Sequence, residues 1–380
     1  MTITEKPGPP RAAAARPAPL ARIAGAARSG PALFAAAAVL TLVVAPLALD
    51  PFRLNLLAKY LCYAIVALGI GLAWGRGGML TLGQGVFFGI GGYSMGMYLK
   101  LNDAGGDLPD FMVWSGVETL PALWEPFRSP VFAIAAAVLG PMLVAAVLGT
   151  LVFRQRVRGA YFAILTQALA AALVILLVGQ QGLTGGTNGL TNFFELFGQD
   201  LAAESTQRGL YFAVAIVLGV LFLLAWQLSR SRFGRLLVAV RDGEDRVRFL
   251  GYDPATVKTI TFAVSAGMAG IAGALFVPVV GIISPALLGV VPSLELVVAV
   301  AVGGRYALGG AVLGAVVMNY AKTAFSEEWA GGWLYLQGAL FILVMTLAPG
   351  GIAGLLVAAR DALARWRGRV PAAREAKEAA

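Results

Sequence analysis

GLYFAVAIVLGVLFLLAWQL (209–228) runs directly into SRSRFGRLLVAVRDGEDRVRFLGYD (229–253), and the junction between them decides the fold. The first stretch is 20 residues without a charge, which is about what an α-helix needs to cross the hydrocarbon core of a bilayer. The second holds ten charged side chains in 25 residues and cannot lie in lipid. It is also longer than a return crossing requires. Its pieces RLLVAV (235–240) and DRVRFL (245–250) have helical composition, Gly251 suits a helix end, and Asp253 with Pro254 starts the next element. The segment therefore predicts a short helix lying across the membrane face. Two readings stand: a handle gripped by another protein, or an amphipathic surface helix with its arginines on phospholipid.

Working outward, further apolar blocks fall at 32–49, 54–74, 79–99, 131–153, 160–178, 257–282, 292–303, 306–323 and 332–348. With 209–228 they make ten, and the expected fold is an all-α polytopic transmembrane bundle of nine to ten spans. The third block is rich in glycine, and the eighth is short and holds Glu295, so irregular or broken spans are expected there. With both termini cytoplasmic, 23 of the 29 basic residues fall on the inner side, and only Arg53, Lys59, Lys100, Arg128, Arg208 and Lys322 fall outside. That asymmetry is the positive-inside pattern. The chain then divides into a disordered basic tail (1–31), a membrane domain (32–356) containing the polar segment 229–256, and a second basic tail (357–380).

Composition narrows the class. Hydrophobic residues make up 59% of the chain and charged residues 13%, with a mean hydropathy of +0.79; a soluble domain carries about 25% charged residues. The net charge of +9 sits between apolar blocks and at the ends, as topology determinants do, and does not suggest nucleic acid. There is no histidine, and the single cysteine, Cys62, lies in an apolar block. Histidine-based metal sites, internal disulfides and imidazole catalysis are thereby excluded, and no metal, cofactor or catalytic cluster is expected. No G-x-x-x-x-G-K-[ST] loop is present to cradle ATP phosphates.

Polar side chains inside the spans are the candidates for a translocation path. Gln84 sits among the glycines at 83, 85, 89, 91, 92 and 96, of which Gly92 and Gly96 form a small-xxx-small pair for helix packing. Glu295 is the one acid these spans place in the apolar core, where a charge costs roughly 2.5–3.5 kcal/mol and faces protein or water. Thr166, Gln167 and Asn319 complete the set. Each has a path-lining reading and a helix-gluing one. Outside the membrane, Phe111, Trp114, Trp124 and Phe127 suit the headgroup level, and TGGTNGLT (184–191) is a dense turn signal.

SRFGRLLVAVRDGEDRVRFLGYDPATVKTITFAVSAGMAGIAGALF (231–276), followed by GIISPALLGV (281–290), resembles the permeases of branched-chain-amino-acid-type ABC importers. DFMVWSGVETLPALWEPFRS (110–129), RGAYFAILTQALA (158–170), VGQQGLTGGTNGLTNFFELFG (178–198) and GVVPSLELVVAVAVGGRYALGGAVLGAVVMNYAK (289–322) are more narrowly similar to the second permease subunit of urea ABC transporters. The resemblance covers roughly 54–356. It implies a coupling helix around 241–251 that docks in a groove of a cytoplasmic ATPase, with Arg241, Asp242, Glu244, Asp245, Arg246, Arg248 and Gly251 as candidate contacts. The wider class places Glu-Ala-Ala a few residues before the glycine; here Asp245, Arg246 and Val247 stand there. The resemblance further implies a heterodimer with a second permease, two ATPase subunits that bind the ATP, a periplasmic binding protein, and residence in the bacterial inner membrane. Urea is the cargo it suggests, with branched-chain or other amino acids as the alternative and a passive channel for small polar solutes as the reading from another class.

Overall fold

The computed structural model describes residues 37, 39–157, 159–328, 332–347, 350–355 and 359. The predicted tail 1–31 and nearly all of 357–380 lie outside the described residues. The chain folds into helices, as expected: α1 (a π-helical turn Leu40–Val44 continuing as Ala45–Ala48), α2 (Pro51–Arg76, its end Gly71–Arg76 also π-helical), α3 (Gln84–Asp103), α4 (Pro130–Arg154), α5 (Ala160–Gly179), α6 (Glu204–Arg230), α7 (Arg232–Phe249), α8 (Pro254–Val280), α9 (Val290–Gly303), α10 (Leu308–Glu328) and α11 (Trp333–Leu347). The described strands are two short antiparallel ladders, Leu190–Thr191 with Ile282–Ile283 and Glu195–Leu196 with Gln199–Asp200.

Among the described residues, six segments are long and apolar enough to cross a membrane: α2, α4, α5, α6, α8 and Pro285–Gly303, which contains α9. Helices α3 and α10 match them in length, at 20 and 21 residues, but are less apolar. Burial sorts the helices into layers. The apolar windows of α2 and α8 are 78% buried, whereas those of α4 and α5 are 22% buried. Leu139, Leu143 and Leu151 of α4 and Ile164, Ile175 and Leu176 of α5 stand exposed, which suits hydrocarbon and not water.

Helix α8 is the axis, packed against α2, α3 and α4. Missing side chains set this packing. A Cβ on Gly273 would lie 1.9 Å from the Phe88 carbonyl oxygen of α3, and one on Gly91 would lie 2.0 Å from the Gly270 carbonyl oxygen. One on Gly270 would lie 2.2 Å from the Ala137 oxygen of α4. Three helices therefore meet backbone to backbone, the arrangement small residues permit where lipid supplies no hydrophobic drive. Of the predicted pair, Gly92 joins this crossing, while Gly96 faces Leu190, Phe193 and Ile283 instead of a helix. Edge-to-face contacts among Phe87, Phe162 and Phe262, with Phe153 beside them, fill an adjoining part of the core.

Two predicted spans begin elsewhere than expected. The third begins at Gln84, because the preceding residues leave the helix to dock on α5: the Leu82 N–H donates to Thr166 Oγ1 at 3.0 Å, and Gly83 abuts the Thr166 carbonyl. The eighth, expected at 292–303, starts two residues earlier at Val290 and follows the turn Pro285–Leu287, so that the apolar segment Pro285–Gly303 has 19 residues of which the last 14 are one helix. The outer aromatics also divide differently from expectation. Trp114 is 80% exposed, but Phe111 and Trp124 are buried, Trp124 packing on Phe127 and Phe127 on Phe132, because the loop folds back over the start of α4. The 184–191 turn is fixed to the bundle, with the Lys100 ammonium donating to Asp110 (3.0 Å) and to the Asn192 carbonyl (3.3 Å).

Gly273→Ala is expected to lower the thermal midpoint of the detergent-solubilised protein by the equivalent of about 1–3 kcal/mol, the usual overpacking cost. Gly219→Ala, in a helix where an added Cβ meets nothing within 4 Å, should leave it unchanged or raise it. Equal midpoints in a thermal-shift assay would contradict the backbone-contact account.

Candidate functional site

The polar segment forms α7, and α7 is two arms. Ser231 caps the first by accepting the Gly234 N–H. At Gly243 the backbone extends (φ −170°, ψ 76°) and a second arm begins. Leu237 and Val240 of the first arm and Val247 of the second bury themselves with Val257 of α8 in a small apolar cluster. The second arm stops at Gly251 (φ +86°), whose N–H donates to the Arg248 carbonyl while that of Tyr252 donates to Val247. This pair of bonds needs a left-handed residue, and glycine adopts it freely. Asp253 then caps α8, accepting from the Ala255 and Thr256 amides and the Thr256 hydroxyl.

The predicted contact residues face three ways. Arg241 turns inward: its Nη1 donates to the Gly75 carbonyl at 2.8 Å, and its guanidinium lies 5.8 Å from the Tyr306 ring. Glu244 also turns inward, its carboxylate 9% exposed and paired with Lys258 of α8. Arg248 lies between, 3.5 Å from Glu244 and 3.4 Å from Asp245. Asp242, Asp245 and Arg246 face outward, with Gly251 at the tip. Around that tip stand three side chains sequence reasoning passed over: Phe249 (91% exposed), Leu250 (75%) and Tyr252. Their signal was present, as apolar residues flanking a helix-ending glycine, but was read as helix composition.

The path candidates separate as well. Gln84 is buried, donating through Nε2 to Ser265 Oγ of α8 at 2.9 Å. Thr166 is buried, donating to the Ala163 carbonyl and accepting from Leu82. Gln167 is half-buried on α5. None of these three lines the cavity that holds the other two candidates. Glu295 and Asn319 both line that cavity, of about 360 Å³ and bounded by α2, α9, α10 and α11. Glu295 Oε2 pairs with Lys322 Nζ at 2.6 Å across α9 and α10. Lys59, Tyr60 and Tyr63 of α2 and Trp333 and Gln337 of α11 complete the wall, with the Tyr60 hydroxyl donating to Thr323 Oγ1 at 2.6 Å. The charge asymmetry treats Lys59 and Lys322 only as outer charges, although both fall inside predicted spans, which is the available clue.

Residues 52–349 match the family described as the permease component of the branched-chain amino acid transport system. The chain is similar to the high-affinity branched-chain amino acid transport system permease protein LivM of Salmonella typhimurium, 27% identical over 84% of this chain and 74% of that one. LivM of Escherichia coli gives the same figures. LivH of Salmonella typhimurium is 25% identical over 77% of this chain and 91% of its own. No solved structure matches.

The cap on α8 carries a pH dependence. The Thr256 hydroxyl, with the Ala255 and Thr256 amides, holds the Asp253 carboxyl below its ordinary value. A depressed carboxyl stabilises the fold above its unfolded pKa of about 3.9 and loses that contribution as pH falls through the folded value. Asp253→Ala should therefore cost about 0.5–2 kcal/mol at pH 7, the usual value of a cap. The gap to the parent should narrow as pH falls from the unfolded value through the lower folded one and the parent's carboxyl protonates. Hydrogen exchange at Thr256 across that range reads it directly, and a gap independent of pH would refute the assignment.

Proposed function

We infer the function from a premise the matches establish: the chain belongs to the family of branched-chain amino acid transport system permease components. It is a multi-pass helical membrane permease and not an enzyme. From there we propose that it is the transmembrane permease subunit of an ATP-driven ABC importer of the bacterial inner membrane, with ten crossings and both termini cytoplasmic. It pairs with a second permease, takes its energy from two cytoplasmic ATPase subunits that bind the ATP, and receives cargo from a periplasmic binding protein. The chain itself carries no cofactor.

One observation carries this reading: the tip of α7. The helix already buries an apolar face, Leu237, Val240 and Val247, against α8. Phe249, Leu250 and Tyr252 make a second apolar surface on an otherwise charged segment. A large exposed apolar group on a rigid mount fits a groove on another protein. The mount is rigid because Arg241 and the Glu244–Lys258 pair bolt it to α2 and α8. A helix serving only to lie on phospholipid needs neither bolt. The same geometry disfavours a passive channel, which has no use for a mounted knob.

Urea is the cargo we propose. The stretches 110–129, 158–170, 178–198 and 289–322 support it through their resemblance to urea permeases. The polar lining around Glu295 and Asn319 suits a small solute with N–H donors and a carbonyl. The second reading, a branched-chain or other amino acid, is favoured by what the LivM and LivH relatives are named for.

Phe249→Asp with Leu250→Asp should abolish co-purification of the ATPases and reduce ATP-dependent uptake by at least about tenfold, since central apolar anchors each carry about 2 kcal/mol or more. Membrane insertion should be unchanged. Arg246→Glu, outward but peripheral, should weaken association less. Retained ATPase binding in the double variant would reject the docking role. Uptake of labelled urea against labelled leucine in the reconstituted assembly decides the cargo.

A further inference from the structure

We propose that the cavity between α2, α9, α10 and α11 is a solute-binding site of the permease itself, built for a small molecule that presents N–H donors together with a carbonyl or carboxylate oxygen. The inference rests on the transport reading above and adds to it a place where cargo is held. Four observations converge there. The volume, about 360 Å³, falls at the small end of the range of about 300–1,000 Å³ common to ligand pockets. Gln337 is 6% exposed, and its Oε1 has no hydrogen-bond partner among the described residues. Trp333 is likewise 6% exposed with an unpartnered Nε1. The wall thus holds a buried acceptor and a buried donor, both unused.

Nine buried side-chain polar atoms lack a partner among the described residues, each at a cost of about 1–3 kcal/mol, and these two share one cavity wall. The remaining wall extends the same pattern. Glu295 spends Oε2 on Lys322, and Asn319 spends its Nδ2 on the Ala315 carbonyl. Their remaining oxygens, Oε1 and Oδ1, add acceptor capacity. Lys59 adds a donor. Acceptors at Glu295, Asn319 and Gln337 with donors at Lys59 and Trp333 complement urea, which has four N–H groups and one carbonyl. They also complement the ammonium and carboxylate of an amino acid.

The test is solute protection of an introduced thiol. The native Cys62 is fully buried, so Ser326→Cys at the cavity wall gives a clean labelling signal in the full chain in its own membrane. Urea or leucine should slow maleimide labelling, and whichever solute does so identifies the source of the chemistry. Adding Gln337→Leu should weaken that protection by at least about fivefold, the effect of one lost hydrogen bond. It should not lower thermal stability, because it removes an unsatisfied polar atom. No protection by either solute overturns the proposal, as does equal protection by 1-propanol, which has no N–H, or protection undiminished in the Gln337→Leu chain. ATP-dependent uptake by the unmodified assembly is measured in parallel. Uptake without protection sinks the cavity and spares the importer, while absent uptake sinks the importer.

Discussion

The close approach of α3 and α4 to α8 is the constraint on which the rest of the structure depends. Phe88, Gly91, Gly270 and Gly273 bring the α3 and α8 main chains together, and Ala137 does the same for α4 and α8. In lipid there is no hydrophobic gain from bringing two apolar helices together, so shape and close main-chain contact decide who neighbours whom. This crossing makes α8 the buried axis. Both proposed functional elements then hang from helices attached to it. The α7 mount is fixed to the beginning of α8 through Asp253 and Lys258, and the cavity borrows its wall from α2, which packs along α8.

Helix α2 connects the two ends. At its C-terminal turn the Gly75 carbonyl accepts from Arg241, and at the other end Lys59, Tyr60 and Tyr63 face the cavity. Gly75 and Lys59 are 16 residues apart, about 24 Å along an α-helix. The turn that receives Arg241, Gly71–Arg76, is π-helical, and such turns recur at functional sites. Next to it, Arg305 lies 5.0 Å from the Trp74 ring and donates to the Tyr306 hydroxyl, placing the α9–α10 turn against the same end of α2.

Much of this was legible in the sequence, and the limits have physical causes. Blocks of about bilayer length identified the helices, and the charge run identified α7 with its terminating Gly251, because both signals are local. Span boundaries failed where tertiary docking replaces helix: the start of α3 unwinds to meet Thr166, a contact 84 residues away. Phe111 and Trp124 misled because an aromatic side chain at the interface and one in a core carry the same composition. The contact residues were chosen by charge, and charge does not reveal direction. Arg241 and Glu244 look like any surface pair until the fold shows a carbonyl and Lys258 beneath them.

The path candidates show the same limit from the other side. Gln84, Thr166 and Glu295 are all polar residues in apolar spans, and sequence alone treats them alike. In the fold, Gln84 donates to Ser265 and Thr166 accepts from Leu82 within the α3–α5–α8 core, where a hydrogen bond to a neighbour offsets part of the cost of burial, although Gln84 Oε1 keeps no partner among the described residues. Glu295 is answered by a cation on the next helix, yet both side chains keep an exposed edge on a cavity. An ion pair held closed for structure alone gains nothing from that edge, since a well-packed apolar pair of similar volume is often as stable or more so. Retaining charge of both signs beside an unpaired Gln337 acceptor is costly for the fold, and that cost is the physical ground for the solute site proposed above.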